Sequence, residues 1–251
     1  MFYTLGSGSL IKLKVFLVLG GLAALCLLVL LSPVFGIAKI SVTGNGKVTE
    51  ADLLSAAGVK QGDNLFSFNA GKADKNVLKN LSYVDSVTFK KVWPNELDIS
   101  IVERKVSGYV KYMNGSYLYI DENGRVLEVS GSFTENLPVV VGLKFTKFSV
   151  GDLLQVDNKT SFSTLVVLTK LFDKYNMQDF SLSQVDVTDS QSIHLYVYNI
   201  DVEFGSVADA DQKMATLQAA LNNMPDLTHI RGVLDLTAIS SNGKYIFKIL
   251  T

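Results

Sequence analysis

The chain has 251 residues, of which 48% are hydrophobic and 19% are charged, and its formal net charge is -1 at pH 7. A chain of this length and apolar content can bury a substantial core, which excludes an intrinsically disordered protein. No predicted face carries a run of basic residues, so the electrostatic footprint of a nucleic-acid-binding protein is missing. Cys26 is the only cysteine, so an intramolecular disulfide is excluded and stability must come from packing.

The first predicted element is an apolar helix. No charged side chain occurs from Val15 to Ala38, a length that suits a membrane span, which needs about 20 apolar residues. A cleaved secretory signal is the alternative, but its apolar region would be shorter, about 7 to 15 residues. Lysines flank the segment on both sides, so the positive-inside rule barely distinguishes the two orientations of the helix in the membrane. We predict a transmembrane helix over 15–38, preceded by a cytoplasmic tail, 1–14, and followed by an exported C-terminal part.

A small domain with the element order β-α-α-β-β is predicted over residues 39–106. Alternation of apolar and polar residues indicates a strand over Ile40–Thr43. Thr49 and Asp52 have the spacing of a capping box, and Gly58 is placed to end the helix that follows.

The second half of this domain is a short helix and two strands. The spacing predicts a helix over Lys72–Leu81, with Val77, Leu78 and Leu81 on its buried side. Alternating patterns predict strands over 86–90 and 97–101, joined by a turn at 93–96 that has proline at its second position.

Residues 92–104 carry the most specific motif of the chain. They read Val-Trp-Pro-Asn-Glu-Leu-Asp-Ile-Ser-Ile-Val-Glu-Arg, and this proline turn, alternating strand and Glu-Arg ending resembles the FtsQ/DivIB family of bacterial cell-division proteins. The β-α-α-β-β order outside a single span is similar to a POTRA domain. POTRA domains also occur in transport and secretion proteins, so this segment alone leaves that alternative open.

A larger mixed-sheet domain with helices is predicted over residues 107–251. Asn123-Gly124 is a strong hairpin signal because both residues tolerate positive φ. Apolar residues at helical spacing predict one helix around Leu165–Tyr175 and another around Met214–Met224. Strands are predicted at 117–120, 125–129, 184–188, 193–198, 201–204, 232–237 and 244–249. The fold class is therefore α+β, with one transmembrane helix, a POTRA-like domain and a β domain.

Two further segments are similar to the FtsQ/DivIB family. Leu137–Gly142 looks like its Leu-Pro-aliphatic-Gly segment, and the stretch from Val202 to Leu236 looks like the closing pattern of its β domain. The family commonly has an arginine and then an aromatic residue after its Asp-Leu pair, where this chain has Thr237 and Ala238. The partner surface is therefore expected to use different side chains.

No catalytic or metal-binding motif is recognisable in the sequence. His194 is expected on the solvent side of a strand, and His229 is expected in a loop. Asp209 and Asp211 precede a predicted helix, where carboxylates favour the positive end of the helix dipole. The sequence therefore predicts a protein that is not an enzyme, without catalytic residues, cofactor or metal ion.

The resemblance implies a partner site at the last strand of the sheet. A small single-span coiled-coil division protein of the FtsL, DivIC or FtsB type would add a strand there, with backbone hydrogen bonds giving affinity and one face giving specificity. Tyr245 and Phe247 on one face, or Ile246 and Lys248 on the other, would supply the specificity, unless the aromatic residues only complete the core. The predicted contact set is Asp235, Leu236, Thr237, Ala238, Tyr245, Ile246, Phe247 and Lys248.

The resemblance thus implies a bitopic scaffold of the division machinery, located in the cell membrane and enriched at the septum. Its POTRA-like domain would bind other division proteins. A POTRA-type chaperone or docking module of a transport or secretion complex is the alternative. A membrane-tethered hydrolase would need a convergent polar pocket, which no motif predicts.

Overall fold

The computed structural model describes residues 7–30, 32–132, 137–224, 226–237 and 245–250. The chain divides into two compact units, Met1–Glu103 and Arg104–Thr251. Each unit has its own hydrophobic core. The sequence-based boundary between the two globular domains, 106/107, lies three residues beyond the division between the units.

Helix α1, Ser7–Leu30, is the N-terminal element, and its apolar side chains from Val15 onward are largely exposed. Across the part of the chain that the structure describes, no helix combines the length and apolar character needed to cross a membrane. The predicted span over 15–38 therefore stays a prediction. The predicted tail, 1–14, lies in part outside the described residues.

The first unit folds with the predicted order β-α-α-β-β, which is confirmed. Strand β1 pairs in parallel with β3, and β3 pairs antiparallel with β2, so β3 lies in the centre of a three-stranded sheet. The parallel pair requires a crossover connection, and the two helices between β1 and β2 provide it. The elements are β1 Lys39–Thr43, α2 Glu50–Ala57, α3 Ala70–Asn80, β2 Val84–Val92 and β3 Glu96–Glu103.

The predicted ends of α2 are confirmed, but only the hydroxyl half of the predicted capping box forms. The Thr49 hydroxyl accepts a hydrogen bond from the backbone N–H of Asp52 at 3.1 Å, which satisfies a donor that the helix leaves free. The Asp52 carboxylate accepts from the Thr49 hydroxyl at 2.7 Å, not from the Thr49 backbone N–H as a capping box requires. Gly58 ends the helix with φ 65°, a left-handed conformation that glycine adopts without strain.

Helix α3 differs from its prediction in two respects. It begins at Ala70 because the Asn69 side chain accepts from the backbone N–H of Lys72 at 3.0 Å. Ala73 and Val77 are its buried residues, whereas Leu78 is exposed. The prediction that Leu78 is buried was wrong because the helix face is set by Ala73, which a search for large apolar residues does not weigh.

The second unit is built on a nine-stranded mixed sheet with the order β12-β11-β10-β9-β8-β7-β4-β5-β6. Three adjacent pairs are parallel, namely β4 with β7, β7 with β8, and β10 with β11. The strands are β4 Gly108–Lys111, β5 Tyr117–Ile120, β6 Val126–Ser130, β7 Val139–Val141, β8 Leu182–Asp186, β9 Ile193–Val197, β10 Ile200–Gly205, β11 Gly232–Asp235 and β12 Ile246–Ile249.

Helices α4, Lys159–Lys174, and α5, Ala210–Asn223, contribute buried side chains to the same core as the strands. Along β9 and β10 the alternate residues Leu195 and Val202 are fully buried in this core, whereas His194 and Asp201 on the other face are only partly buried. The helices therefore cover one face of the sheet at these strands.

Three predicted features of this unit need correction. Strands β4 and β7 were not predicted, although they pair with each other in the interior of the sheet. Strand β8 begins at Leu182 and ends at Asp186, earlier than the predicted 184–188. Strand β11 ends at Asp235 and not at Thr237, because the Asp235 side chain accepts from the Thr237 backbone N–H and closes a turn there.

Candidate protein-protein interface at the sheet edge

The last two strands of the chain form an antiparallel pair at one end of the nine-stranded sheet. The register aligns Gly232 with Ile249, Leu234 with Phe247, and Asp235 with Ile246. Strand β12 is the terminal member of the strand order among the described residues, so its outer side is an open edge. The prediction that the last strand forms an edge is therefore confirmed.

The direction of the backbone groups of β12 follows from one hydrogen bond. The backbone N–H of Leu250 donates to the carbonyl oxygen of Arg231 at 2.9 Å, toward β11. Because alternate residues of an antiparallel strand direct their polar groups to opposite sides, Ile246 and Lys248 also face β11. Phe247 and Ile249 therefore present their N–H and C=O groups to the open edge.

The Phe247 side chain belongs to the core side of this strand. Its partner in register is Leu234, which is fully buried, and the Phe247 ring packs against the core of the unit. A Cβ atom on Gly232 would lie 2.7 Å from the Phe247 ring and 2.6 Å from the Lys248 carbonyl oxygen. Only glycine at 232 leaves room for the ring. Phe247 therefore completes the core, which is the alternative interpretation given above for the aromatic residues.

Several apolar side chains near the edge are exposed. Ile246 lies on the face opposite Phe247 together with Lys248, and it is 58% exposed. Ile249 and Leu250 are 67% and 57% exposed and were absent from the predicted contact set. The alternation of the strand could have identified Ile249, since it shares the face of Tyr245 and Phe247.

The segment after β11 is held by local hydrogen bonds. One carboxylate oxygen of Asp235 accepts from the Thr237 hydroxyl at 2.6 Å and from its backbone N–H at 2.8 Å. These two bonds lower the pKa of Asp235. Leu236 is buried and donates its N–H to the Glu203 carbonyl oxygen at 2.9 Å, while the predicted contact Ala238 lies outside the described residues.

The titratable residues considered as catalytic candidates lie in separate places. His194 Nδ1 lies 2.8 Å from an Asp201 carboxylate oxygen, on the open face of β9 and β10. His229 Nδ1 lies 2.9 Å from the carboxylate of Asp226 within one exposed loop. No cluster of three His, Cys, Asp or Glu side chains that could hold a metal ion occurs in the described ranges. Each pair is a local contact between a histidine and a carboxylate, away from the other pair.

Comparison with known proteins agrees with this architecture. The two units define a POTRA-containing protein: the family model "POTRA domain, FtsQ-type" matches residues 35–104, and the model "FtsQ/DivIB, C-terminal related" matches residues 109–231. The chain belongs to the FtsQ/DivIB family. The second match ends just before β11, so the edge pair β11–β12 lies outside it.

Curated relatives carry the same family names. The cell division protein DivIB of Clostridium botulinum is 28% identical over 197 residues, covering 78% of this chain and 74% of that protein. The DivIB protein of Staphylococcus aureus is 33% identical over 122 residues, covering 48% of this chain and 27% of the relative. The cell division protein FtsQ of Corynebacterium glutamicum is 28% identical over 124 residues, covering 44% and 55% respectively.

Proposed function

We propose that this chain is a non-enzymatic, membrane-anchored scaffold of the bacterial cell-division machinery that holds other division proteins at the septum. Its relatives are named cell division proteins, and its two units match the two family models. The single observation that carries the scaffold role is the open edge of β12, which ends a nine-stranded sheet. An open edge can accept a strand from a partner.

The expected partner is a small single-span coiled-coil protein of the FtsL, DivIC or FtsB type. Phe247 and Ile249 offer N–H and C=O groups to an added strand, and each such hydrogen bond contributes about 0.5–1.5 kcal/mol net. A few bonds give modest affinity. The exposed side chains Ile246 and Ile249 would add apolar burial and select the partner, while the POTRA unit would bind other division proteins.

A modest affinity suffices if both proteins share one membrane. We propose that the segment 15–38 anchors the chain, with the N-terminus in the cytoplasm and both units outside. This proposal rests on the sequence, in which no charged side chain occurs from Val15 to Ala38. Tethering converts a second binding event into an intramolecular one, with an effective concentration on the order of millimolar for short connections.

A proline at the edge tests strand addition. Ile249→Pro removes an N–H that points to the open edge and keeps the groups that pair with β11, and proline is tolerated on edge strands for this reason. Ile249→Ala is the matched control, because it also removes the isoleucine side chain but keeps the N–H. The measurement is binding of the purified extracytoplasmic segment of an FtsL- or DivIC-type protein to each full-length variant.

We expect binding to weaken at least severalfold more in Ile249→Pro than in Ile249→Ala, while both variants unfold at the wild-type temperature. In cells that depend on the variant, the proline change should cause stronger filamentation than the alanine change. Equal binding by the two variants would show that the site lies elsewhere. Binding only to components of a secretion complex would favour the POTRA-type chaperone function.

A further inference from the structure

An exposed aromatic cluster lies at one end of the first unit, and the division-scaffold function does not use it. The rings of Phe35, Phe66 and Trp93 contact one another, with centroid distances of 5.9 Å for Phe35–Phe66, 5.9 Å for Phe35–Trp93 and 5.0 Å for Phe66–Trp93. Trp93 is 51% exposed and Phe66 is 49% exposed. Neighbouring Val34 is 60% exposed. The three rings form a continuous apolar surface outside the core of the unit.

Hydrogen bonds join this cluster to the C-terminal end of the apolar helix α1. The side-chain amide of Asn64 donates to the Leu30 carbonyl oxygen at 2.9 Å, and its own oxygen accepts from the backbone N–H of Phe66 at 2.9 Å. The Leu65 N–H donates to the Phe35 carbonyl oxygen at 2.8 Å. One asparagine therefore connects the last turn of α1 with the loop that carries Phe66.

The surroundings of the cluster have the chemistry of a membrane interface. Trp and Tyr concentrate at the headgroup level of membranes, and Phe together with Trp lines the apolar face of segments that lie in the membrane interface. Lys91 places its ammonium 3.4 Å from the Phe66 carbonyl oxygen and 5.8 Å from the centroid of the Phe68 ring, where a cation could meet lipid phosphate. On the α1 side the exposed side chains Leu28 and Val29 are aliphatic, as hydrocarbon contact requires.

We propose that Phe35, Phe66 and Trp93 insert into the lipid headgroup region of the membrane that anchors the chain, and so fix the orientation of the first unit on the bilayer surface. The inference rests on the proposed membrane anchor. It adds a second, interfacial contact to that anchor. A POTRA unit held in this way would present its sheet to partners at a constant height and angle.

Trp93 is the only tryptophan of the chain, so its fluorescence reports directly on this cluster. The full-length protein is reconstituted into phosphatidylcholine vesicles that carry bromine either near the glycerol backbone or near the acyl-chain ends, and Trp93 quenching is compared. The control is the double variant Trp93→Phe, Val102→Trp. Val102 is exposed near the far end of β3, six residues, or about 20 Å, beyond Glu96.

We expect the shallow bromines to quench Trp93 more strongly than the deep ones, with emission shifted to shorter wavelength than that of the control, which remains unquenched. Phe66→Gln should reduce the quenching of Trp93 without releasing the protein from vesicles. A protein that floats with vesicles while Trp93 stays unquenched and open to iodide would overturn the interfacial contact and leave the anchor intact. A protein that does not float with vesicles would overturn the anchor itself.

Discussion

Glu103 holds the connection between β1 and α2, and its removal should destabilise the first unit. Its carboxylate accepts three backbone hydrogen bonds, from Gly46 at 2.9 Å, from Lys47 at 2.8 Å and from Val48 at 2.8 Å. Partial burial alone would raise the pKa of Glu103, but these hydrogen bonds outweigh it and lower that pKa. The glutamate of the Glu-Arg ending is therefore a structural residue.

The expected size of the effect follows from the bonds that Glu103→Gln loses. Hydrogen bonds to a charged group contribute about 1.5–3 kcal/mol each. The amide of glutamine keeps one acceptor oxygen for Gly46 and Val48, but its NH₂ group faces the Lys47 N–H. After reduction for partial solvent exposure, we expect Glu103→Gln to lower the free energy of unfolding by about 2 kcal/mol. Glu96→Gln is the control, because its 3.7 Å ion pair with Lys39 is exposed and should contribute little.

Urea unfolding of the full-length protein in mild detergent, followed by Trp93 fluorescence, measures this difference, since Trp93 lies in the first unit. The folded pKa of Glu103 is lowered, so its contribution is complete above the unfolded pKa of about 4.3 and is lost as pH falls through the folded value. The difference in the free energy of unfolding between wild type and Glu103→Gln should therefore be largest near neutral pH. Coincident curves at neutral pH, or a gap that is unchanged in acid, would refute the reasoning.

Three further changes in the second unit have expected outcomes that thermal unfolding by circular dichroism can check. Gly142→Ala should destabilise by more than about 2 kcal/mol, because Gly142 has φ 92° and its Cβ would lie 2.2 Å from the Thr188 nitrogen; wild-type stability would contradict this. Arg104→Met should lower the free energy of unfolding by about 3 kcal/mol, since it leaves the buried Asp121 carboxylate without its 3.1 Å ion pair. Adding Asp121→Asn should restore part of this stability. Lys213→Met should lower the free energy of unfolding by about 2 kcal/mol, because the buried ammonium donates to two backbone carbonyls at 2.9 Å each. A smaller loss than that of a variant at an exposed lysine would show that these hydrogen bonds do not stabilise the unit.

The sequence determined those features that depend on neighbouring residues. Thr49 and Gly58 specify the ends of α2 because a capping hydroxyl and a left-handed glycine act within one turn of the helix. The sequence pattern identified β9 and β10 as strands and placed His194 on the solvent side of β9, because side chains of a strand alternate between two faces. The β-α-α-β-β order and the motif at 92–104 indicated a POTRA domain, and the segments at 137–142 and 202–236 were needed as well to indicate the family.

Only the tertiary structure decided the order of the strands and the roles of the residues at the edge. Strand β4 was missed because Gly108–Lys111 is short and gains its place by parallel pairing with β7, which is distant in sequence. Alternation shows that Phe247 and Ile246 lie on opposite faces, but which face the core covers depends on the glycine at 232 and on the helices above the sheet. Long-range packing determines the strand order and the buried face of β12, and neither can be predicted from a local sequence pattern.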